Sequence, residues 1–105
     1  MTSAELATYV DAFTAGGITG PVNWYRNIDR NAAALRHTLD ASITQPTLMI
    51  IADSDPVLPI SLTDGMNRWI GDLETVVIDD CGHWTQQERP EAVNAALVGW
   101  LDRTS

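Results

Sequence analysis

The chain has 105 residues, enough for one small domain with a modest core. Six Lys and Arg against 14 Asp and Glu give a formal charge of -8, which repels phosphate backbones and anionic lipid and so excludes nucleic acid and membrane surfaces as partners. The single cysteine, Cys81, excludes an internal disulfide and any multi-cysteine zinc site; with no basic residue before an apolar stretch at the N-terminus and no apolar run of membrane-spanning length, a cytoplasmic protein is expected.

Thr2-Ser3-Ala4-Glu5 reads as a capping box that opens a helix. Leu6, Tyr9, Val10 and Phe13 recur on one face of it, and Gly16-Gly17 ends it. Gly20-Pro21 opens a second helix predicted to run to about Leu35, since proline is tolerated in a first turn. Within it, Asn23-Trp24-Tyr25-Arg26-Asn27 mixes polar and aromatic side chains without sorting them onto separate faces, as a pocket wall does. From Gln45 the pattern becomes strand, turn, helix, strand, turn, helix, the alternation of parallel βα units. Leu48-Met49-Ile50-Ile51 is apolar at every position, the pattern of a strand covered on both faces of a parallel sheet. The two helices of this half are predicted over Ser61 to Trp69 and Pro90 to Leu101, the latter with Val93, Leu97, Trp100 and Leu101 turned inward. Two strands among four helices leave a sheet edge open, so the chain is expected to belong to a larger fold and, alone, to self-associate or pack loosely.

The chemistry concentrates in two loops. Asp53-Ser54-Asp55-Pro56 follows the apolar run Thr47 to Ala52, and Asp79-Asp80-Cys81-Gly82-His83-Trp84 follows Thr75-Val76-Val77-Ile78. If those runs are neighbouring parallel strands, Asp55 meets His83: the carboxylate holds one ring nitrogen and the other takes a proton from water. Gly82 is expected to provide the sharp turn, and Trp84 to fix the ring and exclude water. Each residue also has a structural reading. His83 serves equally as a hydrogen-bonded loop histidine, Asp53 and Asp55 as turn formers, and Asp79 and Asp80 as solvated turn residues. Trp24 and Tyr25 serve as helix packing, with Tyr25 alternatively a phenol donor to a substrate oxygen. Cys81 reads as a small buried thiol rather than a nucleophile. A calcium loop starting at Asp53 is rejected, because Val57 and Leu58 stand where a ligand and a glycine are needed.

Three motifs together resemble the α/β-hydrolase-fold epoxide hydrolases. Gly17-Ile18-Thr19-Gly20-Pro21-Val22-Asn23-Trp24-Tyr25-Arg26-Asn27 is similar to their cap segment, and Asp53-Ser54-Asp55-Pro56-Val57-Leu58 to their acid loop. Asp80-Cys81-Gly82-His83-Trp84-Thr85-Gln86, with Pro90-Glu91 and the terminal Trp100-Leu101, is similar to their histidine loop and last helix. The resemblance implies an α/β fold, the C-terminal part of an α/β-hydrolase with two parallel strands and flanking helices over residues 39–105. Residues 1–38 would be the last two helices of a cap domain. It implies a small apolar epoxide as substrate, opened by an aspartate through an alkyl-enzyme ester. Tyr25 would polarise the epoxide oxygen, Asp55 would orient His83, His83 would activate water, and Trp24 and Trp84 would contact substrate, with no metal and no cofactor.

Nothing here resembles the family's nucleophile elbow, its His-Gly-x-Pro oxyanion loop or its first cap tyrosine. The expectation is therefore a partial epoxide hydrolase, inactive alone, that needs a complementing N-terminal hydrolase segment. Two alternatives stand beside it. One is a truncated, inactive remnant acting as a folded or oligomeric binding module. The other is a dehalogenase or esterase of the same fold, disfavoured because halide release prefers indole N–H donors and acyl transfer needs a serine elbow.

Overall fold

A computed structural model describes residues 1–105 and divides them into two units, Met1–Leu39 and Asp40–Ser105. The first unit is helical. α1 (Ser3–Gly16) begins at the predicted capping box: the Thr2 N–H donates to Glu5 Oε2 at 2.6 Å and the Glu5 N–H to Thr2 Oγ1 at 3.3 Å. The helix ends where the Gly17 N–H bonds to the Phe13 carbonyl at 2.9 Å. Leu6, Tyr9, Val10 and Phe13 form the predicted stripe, yet each is about half exposed and α1 buries no residue.

The second predicted helix, Pro21 to Leu35, is broken in two. α2 (Thr19–Arg26) begins two residues before Pro21, and α3 (Ile28–Ala34) follows after a one-residue irregularity at Asn27, with a 3-10 turn at Arg36–Thr38 beyond it. Asn27 causes the break. Its side-chain amide donates to the Asn23 carbonyl at 2.7 Å while its own N–H reaches the same oxygen at 3.2 Å, and its backbone relaxes to φ -94, ψ 0.

The second unit carries the sheet. β1 (Thr47–Ala52) and β2 (Leu73–Ile78) are parallel and in full register from Thr47 opposite Leu73 to Ala52 opposite Ile78. A further bridge, Ile43 to Ile70, extends the pairing upstream. The predicted helix over Ser61 to Trp69 is absent; two 3-10 turns, Ile60–Thr63 and Met66–Arg68, stand there instead. The interruption lies between them, where Asp64 is extended at ψ 123 and Gly65 sits in left-handed space at φ 82, a conformation that costs most residues with a side chain roughly 1–2 kcal/mol. α4 (Thr85–Glu88) is a single turn, and α5 (Pro90–Thr104) runs three residues beyond the predicted end and packs on both strands.

The core gathers at the C-terminal end of the sheet, where Ala52, Ile78, Cys81 and Val93 are buried together with Ile50 and Val76 against them. The inward face of α5 differs from the predicted stripe: Val93, Ala96, Gly99 and Trp100 turn toward the sheet, while Leu97 and Leu101 stay exposed. Small residues at 96 and 99 sit on the covered face, so the contact selects for close approach rather than for the largest apolar side chain. β1 is half-buried over Thr47–Ile50 and fully buried only at Ile51 and Ala52, and Thr75 and Val77 expose one face of β2. Ile78→Ala removes a central side chain of this small core and is expected to cost about 2–5 kcal/mol, read as a lower urea midpoint at unchanged slope.

Candidate active site

Register decides the site. Because Ala52 and Ile78 are paired at the ends of their strands, the loops that follow leave the sheet side by side, and the main chain keeps them joined. The Asp53 N–H donates to the Ile78 carbonyl at 3.1 Å and the Ser54 N–H to the Cys81 carbonyl at 3.0 Å. The two loops therefore continue the ladder past the last paired residues.

Asp55 and His83 meet as expected, with His83 Nδ1 2.9 Å from Asp55 Oδ2. A carboxylate only accepts, so Nδ1 of the neutral ring carries the proton and Nε2 keeps a lone pair. The other Asp55 oxygen, Oδ1, accepts the N–H groups of Val57 at 2.7 Å and Leu58 at 2.9 Å. Turn-forming and histidine-orienting roles are thus held together, one oxygen to each. The Asp55 side chain is 7% accessible and that of His83 36%. Burial pushes the Asp55 carboxyl up, and the hydrogen bonds from the Leu58 N–H, His83 and the Val57 N–H outweigh it, leaving the group below the usual aspartate range.

Trp84 lies edge-on to the His83 ring, centroids 5.5 Å apart at 76°, and is 68% exposed. It braces the imidazole from one side but, so exposed, does not screen it from solvent within this unit. In the first unit Tyr25 and Trp24 stand on α2, 76% and 80% exposed, around an open depression completed by Gly20 and Pro21. Nowhere do three or more His, Cys, Asp or Glu side chains gather in a metal-binding group. No helix is long and apolar enough to cross a membrane.

Two features of the histidine loop differ from the sequence reading. The left-handed residue is Asp80, at φ 49, not Gly82. Aspartate tolerates that region better than most residues, and Arg89 holds it there by donating to both the Asp80 carbonyl and, at 2.6 Å, its carboxylate. Asp53 is more than a turn former: its Oδ1 accepts the Cys81 N–H at 3.1 Å across the loops. The amides of Cys81 and then Asp80 hold its carboxyl below the usual range.

A family model described as the α/β hydrolase fold matches residues 3–90. The chain belongs to that family. Among similar curated proteins, the bifunctional epoxide hydrolase 2 of Rattus norvegicus is 42% identical over 100 residues, covering 95% of this chain and 18% of the rat protein. Epoxide hydrolase A of Mycobacterium tuberculosis is 45% identical over 98 residues, covering 92% of this chain and 30% of the relative. The crystal structure of epoxide hydrolase A from Mycobacterium thermoresistibile superposes with a TM-score of 0.85 at 41% identity, over 97% of this chain and 32% of the other. Potato (Solanum tuberosum) epoxide hydrolase I gives 0.87 at 26% identity, over 97% and 34%. The chain thus spans between 18% and 34% of each relative's length.

Both aspartates contribute stability above the unfolded aspartate pKa, and this is lost as pH falls through their depressed folded values. Unfolding free energy is therefore expected to decline below about pH 4, and Asp53→Asn to flatten that decline. Urea unfolding between about pH 3 and pH 6 checks both expectations.

Proposed function

We propose that this chain is the water-activating portion of an epoxide hydrolase, with residues 1–38 as part of its cap and residues 39–105 as part of its core. The single observation that supports the reading most strongly is the Asp55–His83 contact at 2.9 Å, at the ends of two paired strands in a chain whose relatives are named epoxide hydrolases. The ring-opening aspartate is then supplied by residues outside these 105. It attacks an epoxide carbon, the carbon–oxygen bond breaks, and the developing alkoxide accepts a hydrogen bond and then the proton from Tyr25. Water next attacks the ester carbonyl as His83 Nε2 removes its proton. Asp55 stabilises the imidazolium so formed. The diol leaves, the carboxylate is restored, and the proton returns from the ring to the phenolate. Trp24 and Trp84 provide the apolar contacts for a small epoxide.

In this reading the chain alone does not turn over epoxide, and adding a complementing N-terminal hydrolase segment restores diol formation. In the complemented protein, His83→Gln lets the ester form but not hydrolyse, so alkylated protein accumulates by mass spectrometry and turnover falls about 10²-fold or more. Tyr25→Phe slows ester formation itself by about 10²-fold. Diol formation untouched by both substitutions overturns the assignment.

The half-exposed stripe on α1 and the exposed face of β2 also support self-association of the isolated chain. Sedimentation velocity is expected to show a mean mass rising with concentration. A monomer at every concentration contradicts this.

A further inference from the structure

His83 is gripped from its main chain as well as from its ring. The carboxylate of Glu88, the last residue of α4, turns back over the loop: Oε2 accepts the Gly82 N–H at 2.9 Å and Oε1 the Trp84 N–H at 3.1 Å. One side chain thus binds the N–H groups of the residues before and after the histidine: the Trp84 N–H lies in the peptide plane that leaves the His83 Cα, and the Gly82 N–H in the plane one residue upstream of the His83 peptide, so the loop is pinned on both sides of the ring by one rigid group. Such charge-assisted bonds are about twice as strong as neutral ones, and two acceptors on one planar carboxylate fix orientation as well as distance.

Gly82 is the counterpart of this clamp. A Cβ built on it would lie 3.0 Å from Glu88 Oε1 and 3.2 Å from Oε2, so any larger residue crowds the carboxylate and pushes it off its present contacts with the two amides. With Asp80 rather than Gly82 in left-handed space, the need for glycine here is one of room, not of backbone freedom.

We propose that Glu88 is a positioning residue for the Asp55–His83 pair, acting through the amides of Gly82 and Trp84 and admitted by the missing side chain at Gly82. The proposal rests on reading His83 as the water-activating base, and it specifies how that base is aimed. Glu88 is exposed and outside the buried core, so its contribution is alignment rather than core packing. A carboxamide offers one oxygen and presents its N–H₂ to the second amide, so Glu88→Gln loses half the clamp while keeping its shape.

The test uses NMR on the full chain, comparing wild type with Glu88→Gln, Gly82→Ala and the double variant. Amide exchange at Gly82 and Trp84 is expected to quicken about tenfold or more in each single variant. The Asp55 carboxyl, followed by its ¹³C shift, is expected to titrate at higher pH than in wild type as its histidine contact loosens. The double variant is expected to match the single ones, because both break one interaction from opposite sides. Faster amide exchange with an unmoved Asp55 titration overturns the proposal and leaves Glu88 a purely local loop cap. Additive effects overturn it, and so does global unfolding of either single variant, which assigns Glu88 to folding instead. None of these readouts depends on epoxide turnover, so failure of the clamp and failure of the hydrolase reading are told apart.

Discussion

Two strands that run in the same direction and end level with one another impose the geometry on which everything else in the second unit rests. With Ala52 opposite Ile78, each following loop starts from the same height, and a carboxylate three residues past one strand reaches an imidazole five residues past the other. A slip of one residue would turn the side chains of β2 over and carry its loop away. The register is itself secured by what it buries, since Ala52, Ile78 and Cys81 pack under α5 at that end of the sheet. Apolar burial in the strands and polar geometry in the loops are therefore one arrangement.

The loops are stitched in layers. Main-chain bonds from Asp53 and Ser54 carry the ladder past the sheet, the Asp53 carboxylate ties the acid loop to the Cys81 amide, and Arg89 holds Asp80 in its unusual backbone conformation. Carboxylates serve distinct purposes around these two loops: Asp53 joins them, Asp55 orients a ring and closes its own turn, and Glu88 caps the amides beside the histidine. Acidic residues that look in sequence like a solvated surface are in part the frame of the site.

What was readable in advance was local. The capping box at Thr2 and Glu5, both strands, and the meeting of Asp55 with His83 each depend on short-range patterns: a cap spacing, an unbroken apolar run, a polar turn directly after it. Other features depend on partners that periodicity does not contain. Asn27 breaks a helix because its side chain competes for the carbonyl one turn back, while its sequence context is as helical as its neighbours. Gly65 stands within Ser61–Trp69, where the alternation of strand, turn and helix points to a helix, but its left-handed backbone interrupts one. Glu88 escaped notice for a different reason: a capping glutamate is recognised three residues after a serine or threonine cap, whereas here the cap is Trp84 and the offset is four. On α5, hydrophobicity favoured Leu97, while the sheet accepts the smaller Ala96 and Gly99.

Cys81 has a use that follows from where it lies. Its side chain is the most deeply enclosed in the protein, packed with Ala52 and Ile78 at the strand ends and Val93 of α5, two residues before His83 in the same loop. An alkylating reagent reaches that sulfur only when the loops part from the helix, so the protein contains its own stopwatch for that opening. The pace of thiol capture, set against that of a small free thiol, measures how often the C-terminal end of the sheet breathes without any label being added near the imidazole.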